Sequence, residues 1–151
     1  MLTHLNAKGE ARMVDVSAKA VEKRTAVAEG FIRLQPATLR LIRADRVSKG
    51  NVLAVAQIAG IQAAKKTADL IPLCHPLALT SVALDFVFVQ RPKSGLRLRA
   101  TAQIAARTGV EMEALTAVSV AALAIYDMCK AVDKTMAITD VRLVSKTKRP
   151  A

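Results

Sequence analysis

Two stretches of the chain place apolar residues at every second position, and a short turn joins them. Val82, Leu84, Phe86 and Phe88 share one face of the first stretch. Leu96, Leu98, Ala100, Ala102 and Ile104 share one face of the second, with Arg97, Arg99, Thr101 and Gln103 opposite. Joined by Pro92-Lys93-Ser94-Gly95, they predict a hairpin with one apolar side, which the rest of the chain must cover. Thr25 to Leu34 is apolar on both alternating faces and predicts a strand partly covered on each side, ended by Gln35-Pro36. Pro36 suits the first turn of a helix running to about Ala44. Ser48 is read as the N-cap of a second helix from about Lys49 to Ala68, whose Ala54, Ala56, Ala59, Gly60, Ala63 and Ala64 permit close crossing by another element. Leu70 to Pro76, with Pro72 and Pro76, is expected to be a structured loop.

From about Met112 to Asp133 the residues Leu115, Val118, Ala122, Ile125, Cys129 and Val132 follow helical spacing, and Ala137 to Val144 reads as a last strand. The order β-α-α-β-β-α-β fits an α+β fold of the ferredoxin-like kind, with helices packed on a mainly antiparallel four-stranded sheet. At 151 residues the chain suffices for one domain. That domain is expected over residues 15–147, between a mobile N-terminal tail (1–14) and a short C-terminal tail (148–151).

The longest apolar run, Val52 to Ile61, is interrupted by Gln57 and falls short of the roughly 20 residues a bilayer span needs, so no membrane partner is expected. The N-terminus mixes His4, Asn6, Lys8, Glu10 and Arg12 and does not resemble a secretory signal. Cys74 and Cys129 lie far apart and form no C-x-x-C pair, which favours reduced thiols and a cytoplasmic location. A net charge of +11 calls for a polyanionic partner, which charge alone does not choose.

On the long helix, Glu113, Thr116, Asp127, Lys130 and Lys134 fall on one polar arc. Such arcs are usually the wet face. Asp127 and Lys130, however, are three apart, close enough for an ion pair that lowers the acid's pKa. Glu113 and Asp127 would be separated by roughly 21 Å along a straight helix. One small substrate reaches both only if the start of the helix bends away or if different subunits build each site. Lys49 at the expected helix start, in Ser48-Lys49-Gly50, suggests a small phosphate seat, because a cation there is favourable only with an anion between it and the free N–H groups. His75, between Cys74 and Pro76, is a candidate proton donor. Two adjacent residues cannot furnish a tetrahedral zinc site, and no metal is expected.

The segments "MVDVSAKAVEKRTAVAEG", "KGNVLAVAQIAGIQAAKKTADLIPLCHPLALTSV" and "TGVEMEALTAVSVAALAIYDMCKAVDK" resemble the molybdenum cofactor biosynthesis C family, over about Met13 to Lys146. The resemblance implies conversion of 3',8-cyclo-7,8-dihydro-GTP to cyclic pyranopterin monophosphate and pyrophosphate by a homohexamer, a trimer of dimers with sites shared between subunits. It implies Asp127 as catalytic acid/base, Lys130 as its charged partner and Lys49 as a functional lysine. Leu73, Cys74, His75, Met112 and Glu113 would line the substrate pocket, with Lys65, Lys146 and Arg24 as cations near it. Such cations suit a triphosphate and a pyrophosphate leaving group. No tightly bound cofactor is implied, and whether Mg2+ accompanies the phosphates is left open. After Lys146 the chain reads "TKRPA" where many members carry a glycine-rich, lysine-containing tail. This departure keeps a catalytically silent assembly partner as an alternative. A basic nucleic-acid-binding domain is the rival from another class, disfavoured because Phe31, Phe86, Phe88 and Tyr126 are the only aromatic residues.

Overall fold

A computed structural model describes residues 3–151. Four strands form one open antiparallel sheet in the order β2-β3-β1-β4. They are β1 (Glu22–Arg33), β2 (Ser81–Val89), β3 (Gly95–Ala106) and β4 (Ala137–Pro150). Four helices accompany them: α1 (Pro36–Arg43), α2 (Val52–Lys65), the single turn α3 (Thr67–Leu70) and α4 (Glu111–Cys129). Because β3 lies between β1 and β2, the two strands joined through helices are not neighbours. This is the expected split βαβ arrangement.

The predicted hairpin is β2 and β3, paired from Ser81 with Gln103 to Val89 with Gly95. Its apolar side is covered by α2 and α4, which burieds Leu84, Leu96, Leu98, Ala100, Ala102 and Ile104. β1 is a central strand: Ala26, Ala28 and Ile32 are buried under the helices while Thr25, Val27 and Phe31 on the other face are half-buried. Gly30 is required by close packing, since a Cβ there would lie 2.6 Å from a Val118 methyl on α4.

α4 is the core helix. Ala114, Ala117, Val118, Ala121, Ala122, Ile125 and Cys129 are fully buried. By length and composition it could also cross a membrane, which the run Val52 to Ile61 alone did not show. α2 crosses it through small residues, as expected: a Cβ on Gly60 would meet the Ala117 carbonyl oxygen at 2.9 Å and a Leu84 methyl at 2.6 Å.

Several expected boundaries are corrected. α2 begins at Val52, not Lys49, because Gly50 turns the chain at φ 113° and Asn51, not Ser48, accepts the Ala54 N–H at 2.9 Å. It ends at Lys65, before the α3 turn that carries Thr67, whose hydroxyl donates back to the carbonyls of Ala63 and Ala64. α4 stops at Cys129, so Val132 is off the helical face and exposed. The polar arc is not uniformly wet, since Glu113 and Thr116 are buried.

β4 runs to Pro150, so residues 148–150, expected in the short tail, pair with residues 22–24 of β1. Of the expected tail 1–14, residues 1–2 lie outside the described residues. Within residues 3–14 the chain turns between Leu5 and Ala11, which form a bridge, and the Asn6 side chain accepts from the N–H groups of Lys8 and Glu10.

The connection from α4 to β4 is fixed by Asp133, which is 2% exposed. One carboxylate oxygen accepts from Gln35 N at 2.8 Å and the Thr38 hydroxyl at 2.9 Å. The other accepts from the N–H and hydroxyl of Thr135, each at 3.0 Å. Burial pushes this carboxyl up, but the hydrogen bonds outweigh it and hold it below the usual range. Asp133 thus ties the residue ahead of α1 and the Thr38 side chain to the α4–β4 connection, while Gln35 gives α1 no side-chain cap.

Candidate functional site

The last turn of α4 presents Asp127 between two lysines. Lys130 Nζ lies 2.8 Å from one carboxylate oxygen, and Lys49 Nζ lies 3.4 Å from the other. Lys49 also donates to the Asp127 carbonyl at 2.9 Å, where a cation complements the C-terminal end of the helix dipole. The Lys130 hydrogen bond and charge, then those of Lys49, hold the Asp127 carboxyl below the usual range. Lys130 is raised in turn by Asp127. The expected ion pair is present, with a third member. The expected phosphate seat at the start of α2 is not formed: Gly50 and Asn51 separate Lys49 from that helix, and its amine turns to Asp127 instead.

At the opposite end of α4, the loop after α3 meets the first helical turn. Leu73, Cys74, His75, Met112 and Glu113 line one cavity of about 290 Å³. Glu113 is 4% exposed, and this burial, with the nearby Glu111 charge, raises its carboxyl above the usual range. Burial, then the Glu113 charge, raises the Cys74 thiol, which disfavours the thiolate a nucleophile needs. His75 Nε2 lies 2.7 Å from the Val14 carbonyl oxygen. A carbonyl only accepts, so this nitrogen carries the proton.

The remaining cations occupy adjoining recesses. Lys65 shares a recess with the other side of Glu113. Arg24 and Lys146 line a third with Lys148, next to Gly109 and Glu111. Lys146 Nζ is 3.1 Å from Glu111, and an Arg24 guanidinium nitrogen reaches the Arg107 carbonyl at 3.4 Å. Among the described residues, Arg24 Nε is buried without a hydrogen-bond partner. Among the described residues no group of three His, Cys, Asp or Glu side chains is placed to hold a metal.

One chain therefore carries two separate clusters. Leu73, Cys74, His75, Met112, Glu113, Lys65, Arg24 and Lys146 gather around the start of α4, and Asp127, Lys130 and Lys49 at its end. α4 is one uninterrupted helix, so the bend that could have joined them is absent, and about 21 Å of helix rise lies between Glu113 and Asp127. Lys19, Glu111 and Lys148, which line the same cavities, were not singled out from sequence. Lys19 sits in a segment without periodicity, and Glu111 and Lys148 read as ordinary surface charges.

A sequence model of the MoaC family matches residues 13–149. The cyclic pyranopterin monophosphate synthase of Desulfitobacterium hafniense is 57% identical over 146 residues, covering 97% of this chain and 88% of that protein. Those of Dinoroseobacter shibae and Parvibaculum lavamentivorans are 60% and 58% identical, each covering at least 96% of this chain and 91% of the relative.

Proposed function

The chain belongs to the MoaC family, and from that premise we propose that it is a cyclic pyranopterin monophosphate synthase of molybdenum cofactor biosynthesis. Its reaction converts 3',8-cyclo-7,8-dihydro-GTP to cyclic pyranopterin monophosphate with loss of pyrophosphate, a lyase reaction, in the cytoplasm. The observation that carries the reading is Asp127, kept ionised between Lys130 and Lys49 in a chain 57–60% identical to enzymes of that name.

The environments of the two carboxyls push their pKa values apart, which is how acid and base roles are divided. Asp127 suits a base, since it is unprotonated well below neutral pH. Glu113, driven towards its protonated form by burial, suits an acid. Lys49 and Lys130 would stabilise negative charge developing beside Asp127. Arg24, Lys65 and Lys146 surround the Glu113 end and would gather the triphosphate. No tightly bound cofactor enters this scheme, and Mg2+ would arrive only as a companion of the phosphates.

The distance along α4 supports sites assembled between subunits, with Asp127, Lys49 and Lys130 of one chain facing the Cys74, His75 and Glu113 cavity of another. A homohexamer built as a trimer of dimers meets that need. The altered C-terminus gives little support to a silent assembly partner, because β4 stays paired to Pro150 and keeps Lys146 on Glu111. A stacking surface for RNA is also poorly supplied, with Phe86 and Phe88 packed against the core and Arg43 lying over the Phe88 ring.

The test is incubation of the purified protein with 3',8-cyclo-7,8-dihydro-GTP, following pyrophosphate and the pterin product together. Release by the parent, lost in Asp127→Ala and Lys49→Ala, is the expected result. A folded parent that releases no pyrophosphate would overturn the enzymatic reading.

A further inference from the structure

The face of the sheet opposite the helices holds an open basin of about 610 Å³, at the end where β1 begins and β4 finishes. Alternation along the strands puts Lys23 and Thr25 of β1, Gln103 of β3, and Thr147 and Arg149 of β4 on that face, away from Ala26 and Ala102 under the helices. Thr80, just ahead of β2, completes the wall, its hydroxyl donating to the Gln103 carbonyl at 2.9 Å. The ionisable lining groups are Lys23, Arg24 and Arg149, and among the described residues no carboxylate lines the basin.

Lys23 and Arg149 stand directly opposite each other in the β1–β4 register, where like charges repel. The next pair, Arg24 and Lys148, is also like-charged, but there Glu22 lies 3.9 Å from both cations. Further along the open face, Glu29 takes up Arg99 and Arg142 in the same way. Among the described residues Lys23 and Arg149 have no such partner, and an anion seated between them would relieve their repulsion. The floor beneath them carries further donors in the hydroxyls of Thr25 and Thr147 and the amide of Gln103. No aromatic ring lines the basin, and Phe31 on the same face is roughly 20 Å from Thr25 along β1. The basin thus offers hydrogen bonds to phosphate oxygens and nothing on which a base could stack.

We infer that this basin is a second anion site, in which Lys23 and Arg149 hold an oligophosphate group and Thr25, Gln103 and Thr147 donate to its oxygens. It is separate from the cavity around Cys74, His75 and Glu113, because that cavity lies at the start of α4 on the helix side of the sheet. Free pyrophosphate and the phosphate tail of a nucleotide present the same chemistry to it. Lys23 and Arg149 are both exposed, so their replacement leaves the core intact.

The experiment is calorimetric titration of the full-length protein with inorganic pyrophosphate and with ATP, in the parent and in a Lys23→Ala, Arg149→Ala double variant. The variant is expected to lose one equivalent of bound pyrophosphate per chain, its affinity at this site falling at least tenfold with two charge-assisted contacts removed. An equal loss for ATP shows that the phosphates alone are read, and a loss confined to ATP makes a nucleotide the occupant. The charge-preserving Lys23→Arg, Arg149→Lys variant is expected to keep most of the affinity. Stoichiometry and affinity within twofold of the parent in the alanine variant would overturn the inference. So would an equal loss in Arg91→Ala, Lys93→Ala, which removes two exposed cations from the β2–β3 turn and leaves the basin intact. A raised KM for 3',8-cyclo-7,8-dihydro-GTP in the alanine variant would overturn the separation of the two sites. A single-stranded oligoribonucleotide bound more tightly than ATP through the same two residues would put nucleic acid in place of the small anion.

Discussion

Asp127 shows how much of a residue's chemistry follows from two neighbours. Its carboxylate is exposed to water, so its lowered pKa comes from Lys130 and Lys49 and not from burial. Lys130 is the nearer and larger cause, at 2.8 Å against 3.4 Å for Lys49. Lys130→Met should therefore raise the Asp127 pKa more than Lys49→Met does, which a carboxyl-carbon NMR titration of Asp127 would read directly. The sign follows from the proposed role: a base acts when ionised, so activity of the parent is expected above the folded pKa of Asp127 and is expected to be lost as pH falls through it. The NMR midpoint should move to higher pH in both variants, further in Lys130→Met. Equal midpoints in all three proteins would contradict the roles given to the lysines. The Asp127–Lys130 pair was legible from its spacing of three. The third member was not, because Lys49 is 78 residues away and only the fold carries it there.

Among the elements, α2 and α4 depend on close approach. Gly60 admits the Ala117 backbone and Leu84, and a methyl added there has no flexible side-chain end to displace on the Ala117 side. Gly60→Ala is predicted to cost about 1–3 kcal/mol by overpacking, measured as a lower urea midpoint with the slope unchanged. The small-residue pattern of α2 signalled this crossing from sequence alone. Its start was harder to read. Ser48 and Asn51 are both good cap residues, and the choice between them was made by the left-handed turn at Gly50. That three-residue difference took Lys49 from a supposed anion seat at a helix start to a partner of Asp127.

At the scale of the whole molecule, the unbroken α4 leaves the two clusters of each chain at opposite ends of the helix. If two subunits combine them, a variant damaged in one half should complement a variant damaged in the other. Asp127→Ala and His75→Ala, each inactive alone, are expected to recover about a quarter of the parent activity after equimolar subunit exchange, since half the pairs are mixed and each mixed pair holds one intact site. No recovery after exchange verified by mass spectrometry would place the whole site in one chain. The sequence by itself determined the α+β class, the element order and the apolar faces, because strand and helix periods of two and 3.6 residues are local properties. The helical spacing of α4 likewise implied the separation of Glu113 from Asp127. Tertiary structure decided the burial that raises Glu113, the capture of Lys49 by Asp127, the bonding of Gln35 and Thr38 to Asp133 and the hydrogen bond of His75 to Val14. Each of these arises where residues distant in sequence are brought into contact, so that desolvation and hydrogen-bond geometry, which no local pattern encodes, set their chemistry.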